Sequence, residues 1–285
     1  LEKILMKKII ALAVATAISA PAMADLTIGG SARYQADNSA ATTGDFDAGT
    51  NRVLLSISGS STAESGMFVS AGATLQMTDE AGVVRDGDNA ITVGNAAANV
   101  VLGAFEPAGA FNSGADAFQH GGTVASTEGS LRARNMDNIG LNVTAIEGVT
   151  LQLSTDVGSQ DDIRLVVGSS MGGVSVTGAY EQVDAGDNLF SITAGTSFGG
   201  VGVNASYGKQ GDNSSFNVNA SYMGFSLAVQ QDDVGANSEQ EIYGAYAVAN
   251  AGGVDGFTVT VGAGTTDEEG NTEALRYGVR LDYAF

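Results

Sequence analysis

The chain has 285 residues, 32 acidic and 12 basic, for a formal charge of −20, with no Cys, two Pro, 40 Gly and a single His. Lacking Cys and carrying only His120, it has no disulfide scaffold, no Cys-ligated zinc site and no thiol nucleophile, and its charge is the opposite of a nucleic-acid footprint. A mean hydropathy of +0.09 is far below that of a helical membrane protein, while 44% hydrophobic residues are too many for a disordered chain.

The first segment reads as a targeting signal. Lys7 and Lys8 precede an apolar run from Ile9 to Ile18, and Ala22-Met23-Ala24 is a small-x-small cleavage site. This pattern predicts a bacterial secretory signal peptide over residues 1–24, since the run is shorter than the roughly 20 residues a spanning helix needs. Residues 1–5 precede a more typical start at Met6 and are expected to reflect the choice of start. Cleavage would leave residues 25–285 with nine bases, eight of them Arg and one Lys209.

From there the chain alternates with period two. Leu26, Ile28, Ala32 and Tyr34 share one face and Thr27, Ser31, Arg33 and Gln35 the other. Val53, Leu55 and Ile57 repeat the pattern, as do the odd residues from Met67 to Met77. Weaker strands are expected near 89–95, 98–105 and 136–145, the second with an ambiguous register because Val100, Val101 and Leu102 are consecutive. Alternation resumes at Val149, Ile163, Val174, Phe190, Val201, Phe216, Phe225, Ile242, Phe257 and Leu275, giving about sixteen strands. Short connections (Ser60–Ser65, Met171–Gly173, Gly199–Gly200, Met223–Gly224) alternate with longer acidic ones (Ala36–Thr50, Thr78–Asp88, Val183–Asp187, Asp232–Ser238, Thr266–Thr272). Glu106 to Asn135 is much longer than the rest.

A soluble sandwich would bury the apolar face of such strands; a membrane barrel turns it to lipid and leaves the polar face to a lumen. An even strand count, strands of bilayer length, alternating connection lengths and aromatics near strand ends favour the barrel. Sixteen strands leave an aqueous channel, whereas eight are filled by side chains.

Several stretches carry a family likeness. Residues 26–34 (LTIGGSARY), residues 51–59 (NRVLLSISG), the pair Ile91-Thr92-Val93-Gly94 and Val101-Leu102-Gly103-Ala104-Phe105, and the terminal Tyr283-Ala284-Phe285 resemble the bacterial general diffusion porins. Among these they resemble the short Rhodobacter-type porins of alphaproteobacteria. The resemblance implies a homotrimer of sixteen-stranded antiparallel barrels in the outer membrane, in contact with its lipid and lipopolysaccharide. It implies short periplasmic turns and a third external loop, here 106–135, folded inward as a constriction. Unlike the family pattern, that loop carries few acids: Glu106, Asp116 and Glu128.

Arg33, Arg52, Arg164, Arg276 and Arg280 all have inward parity, and Arg132 and Arg134 follow the long loop. Closure would bring the first and last strands together and set Arg33, Arg276 and Arg280 at similar heights. One reading is a basic wall facing acids across the pore, since rings of charge at a narrow point set ion selectivity. The other is arginines paired locally with acids such as Asp282. The remaining acids gather in connections (Asp45, Asp47, Asp79, Glu80, Asp86, Asp88, Asp161, Asp162, Asp232, Asp233, Asp267, Glu268, Glu269) and suit solvation or Ca²⁺ or Mg²⁺. No nucleophile stands beside His120, so an enzyme is not expected and no cofactor is required. The expected function is a passive, weakly cation-selective channel for ions and small hydrophilic solutes. The alternative is a structural or adhesive surface barrel with acidic, divalent-cation-binding loops.

Overall fold

The computed structural model describes residues 25–38, 47–48, 51–78, 84–111, 137–158, 162–184, 186–268 and 274–285. The expected signal peptide, Asp116, His120, Glu128, Arg132 and Arg134 lie outside the described residues, as do Asp45, Asp79, Glu80, Asp161 and Glu269.

The described chain is almost entirely strand: β1 (Asp25–Asp37), β2 (Asp47–Ala48), β3 (Arg52–Thr62), β4 (Phe68–Thr78), β5 (Val84–Gly94), β6 (Ala98–Ala104), β7 (Asp137–Val143), β8 (Val149–Asp156) and β9 (Ile163–Met171) form the first half. The second half holds β10 (Val174–Gln182), β11 (Leu189–Phe198), β12 (Val201–Gln210), β13 (Asn213–Tyr222), β14 (Phe225–Val234), β15 (Asn237–Ala249), β16 (Phe257–Glu268) and β17 (Ala274–Ala284). Each pairs antiparallel with its sequence neighbour. The two-residue β2 lies only on the end of β1, so sixteen strands make the wall. Pairing of β1 with β17, from Ser31 opposite Ala284 to Asp37 opposite Gly278, closes it. Phe285 and Gly30 complete the seam by exchanging two backbone hydrogen bonds, of 2.9 and 3.0 Å.

Burial is inverted relative to a water-soluble fold. On β9 Ile163, Leu165 and Val167 are exposed, while Arg164 and Val166 between them are buried. Similar exposed apolar residues run round the wall on β11 to β14, including Phe190, Ile192, Val203, Tyr207, Val218 and Leu227. The buried side is dominated by Ser, Thr, Asn, Gln and charged residues, among them Asn138, Ser191, Ser206, Asn217, Gln230 and Thr260. That arrangement is stable when the exposed face meets hydrocarbon, and closure satisfies every edge strand. Among the described residues no helix is long and apolar enough to cross a membrane.

Connections at one end are tight. Gly199 and Gly200 both have positive φ (59° and 84°), as a two-residue hairpin twisted with its strands requires. Met223 fills the first position of the next such turn at φ 47°, beside Gly224. Two expectations at the other end need correction. The connection expected over Asp232–Ser238 is only Gly235 and Ala236: β14 and β15 remain paired up to Val234 opposite Asn237, with Asp232 inside and Gly235 at φ 60°. The strand expected at 89–95 starts at Val84, after a register shift at Ala73/Leu75. In β6, Val101 stands opposite Gly140 on the inner face, leaving Val100 opposite Leu141 toward lipid.

Candidate functional site

The long connection after β6, the third at its end of the barrel, starts by turning into the lumen. Its described part, Phe105–Phe111, is bound to five successive strands. Asn138 Nδ2 on β7 donates to the Phe105 carbonyl (2.8 Å). Gln152 Oε1 on β8 accepts the Ala108 N–H (2.6 Å), and the Gln152 amide in turn donates to Asn142, which donates to Asn99. Arg164 Nε on β9 donates to the Ala108 carbonyl (3.0 Å). Thr193 Oγ1 on β11 donates to the Ala110 carbonyl and also contacts the Ser206 hydroxyl. Ala110 packs on Val166 of β9 and Ala179 of β10, a small apolar cluster on a largely polar inner wall. Phe105 has its seat at Gly140, where a Cβ would meet the ring at 2.8 Å.

The basic wall lies half a barrel away, across the β17–β1 seam. Arg33 Nε donates to Asp282 Oδ1 (2.8 Å) and Arg280 Nε to Asp282 Oδ2 (2.7 Å). One carboxylate therefore bridges two guanidiniums. All three side chains are part-exposed. Register places Arg52 of β3 directly opposite Arg33. Arg276 sits two pleat repeats from Arg280, opposite Gly264 of β16. On the barrel wall, then, the structure brings Arg33 and Arg280 together on Asp282, with Arg52 one strand further on beside Arg33.

Arg164 does not join them. It points inward, but its side chain is 1% exposed and Nη1 is bound to Glu181 Oε2 at 2.7 Å, with Glu181 at 0%. Glu106 is half-buried at the root of the loop. Among the described residues no group of three or more His, Asp or Glu converges on a metal position. Asp232 lies on the inner face of β14, hydrogen-bonded by Gln230 (2.7 Å) rather than in a connection.

Sequence reasoning missed the loop's docking residues: Asn138, Gln152, Val166, Ala179, Glu181 and Thr193. One signal was present. Leu165-Val166-Val167 breaks the alternation of β9, and an apolar residue at an inward position needs something apolar to cover it.

No curated protein sequence matches the chain. Solved structures do. A variant of the Rhodopseudomonas blastica porin superposes with a TM-score of 0.68 at 17% identity, covering 91% of this chain and all of that one. A triple mutant of the same porin gives 0.65 at 16%, with the same coverage. A chain from work on asymmetric conductivity of engineered proteins gives 0.65 at 15%, covering 92% of this chain and all of that one. At such identities the likeness speaks for the fold. A family model described as Gram-negative porin matches residues 11–285. With the closed sixteen-strand wall and its inverted burial, that match settles the family: the chain belongs to the Gram-negative porins.

Proposed function

We propose that the protein is a passive diffusion channel of the bacterial outer membrane, admitting ions and small hydrophilic solutes through a water-filled lumen. The observation that carries this reading is the inverted burial of a closed sixteen-strand barrel, a diameter at which side chains do not fill the interior. Family and fold imply the outer membrane. Export through a cleaved signal peptide, contact with lipopolysaccharide and assembly as a homotrimer belong to the same proposal and rest on the family resemblance.

The channel prefers cations weakly in this reading. A formal charge of −20 supports the preference, against the arginines gathered at the seam. Ca²⁺ or Mg²⁺ at the outer acidic connections would be held by one or two carboxylates and retained waters. The test is single-channel conductance in a planar bilayer under a salt gradient. Stepwise openings in groups of three with a cation-signed reversal potential support the proposal. An anion-signed potential overturns the selectivity, and silence from folded protein overturns the channel.

A further inference from the structure

Arg164 and Glu181 stand directly opposite each other in the β9–β10 ladder, and the next inward pair along the same ladder is Val166 opposite Ala179. The two strands thus present an ionic rung beside an apolar rung. The third connection lies on both, in matching two-residue steps: the Ala108 carbonyl accepts from Arg164, and Ala110 packs on Val166 and Ala179. Gln152 and Thr193 hold the same segment from the flanking strands with neutral groups. Arg164 holds the segment with a charged donor, and charge-assisted bonds are the stronger kind.

On the strength of the channel reading above, we infer that Arg164 is a positioning residue: it fixes the Phe105–Phe111 segment on the inner wall, narrowing the lumen there, and it does not select ions. Its charge is neutralised on the spot by Glu181, with both side chains out of water, so what reaches the lumen is the weak field of a close ion pair. The selecting charges are those half a barrel away at the seam. The bond from Nε to Ala108 uses the edge of the guanidinium that Glu181 leaves free. A lysine would keep the pair but offers no such rigid second edge.

The test combines Arg164→Met, Arg164→Lys and the swap Arg164→Glu with Glu181→Arg, each in folded full-length protein. Three quantities are read: reversal potential, open-channel noise, and entry into proteoliposomes of a neutral oligosaccharide that the unaltered protein excludes. Arg164→Met is expected to raise the noise and admit the sugar; combined with Glu181→Gln, so that no carboxylate is left unneutralised, it is expected to do so with the reversal potential where it was. Arg164→Lys should recover the effect in part. The swap restores an ion pair to the wall but not the bond to Ala108, so noise and sugar entry should stay altered. A reversal potential that moves with sugar exclusion intact would overturn the inference, and so would a swap that restores all three readouts. If Arg164→Met does not fold, Gln152→Leu and Thr193→Val remove uncharged holds on the same segment and must change noise and sugar entry in the same direction. Should the unaltered protein prove folded yet silent, the channel reading falls by itself. Faster protease cleavage within the third loop of Arg164→Met then still reports the anchoring, and unchanged cleavage denies it.

Discussion

Asp282 is the side chain on which the charge of the seam turns. It accepts from two arginines at 2.8 and 2.7 Å while remaining in reach of water. Asp282→Asn removes the one negative charge between Arg33 and Arg280, with Arg52 opposite. The reversal potential in a salt gradient should shift toward anions, and the shift should shrink as salt is raised. Stability should fall by only about 0.5–1 kcal/mol, because part-exposed pairs contribute little. Val166 offers the complementary test at the other wall. Val166→Ser places a hydroxyl against Ala110 and Ala179, where no described group awaits it. Loss of docking by about 1–3 kcal/mol is expected, read as faster proteolysis within the third loop with the barrel band unchanged. These two positions differ in how readable they were. Inward parity of Arg33, Arg164 and Arg280 is local and follows from period two. Which arginine meets which acid depends on closure register, and no local pattern carries that.

The strands themselves were legible because lipid demands an apolar residue at every second position, and that demand shows in the sequence. It ends where the strand leaves the hydrocarbon. Beyond Val229 the outward residues of β14 are Gln231 and Asp233, and the inward ones are polar too, so the stretch looks like a loop although it remains paired. The same physics hid the start of β5. The reverse failure occurred at Val166 and Ala179, where an apolar inward residue looks like noise until the loop is seen to lie on it. Turn chemistry at the tight end gives a prediction at this level. Met223 adopts a left-handed backbone that costs a residue with a Cβ roughly 1–2 kcal/mol, and its side chain is largely exposed, so little packing is lost with it. Met223→Gly should therefore stabilise the protein by about 1 kcal/mol, seen as a higher urea midpoint with an unchanged slope.

Closure is the property no single strand possesses. At the seam the Phe285 ring lies over Gly30, where a Cβ would come within 2.7 Å of the ring and against the Leu54 carbonyl. Gly30→Ala should disturb the closing pair at a cost of about 1–3 kcal/mol and lower the yield of heat-resistant folded band on gels. Gly59→Ala on the neighbouring strand is the control, since its nearest atom would be 4.0 Å away, and the band should persist. Equal loss in both would show that the seam has no special sensitivity.

The seam also sets a schedule. β1 is the first strand of the wall to be made, yet the strand that completes it, β17, is the last. Until then one edge of β1 carries unpaired N–H and C=O groups, an open template for any other strand. Contacts between residues so distant in sequence also form slowly. The chain is thus most prone to aggregate in the interval between emergence of β1 and arrival of Phe285, and a factor that covers one sheet edge over that interval would raise the yield of barrels without altering the finished fold.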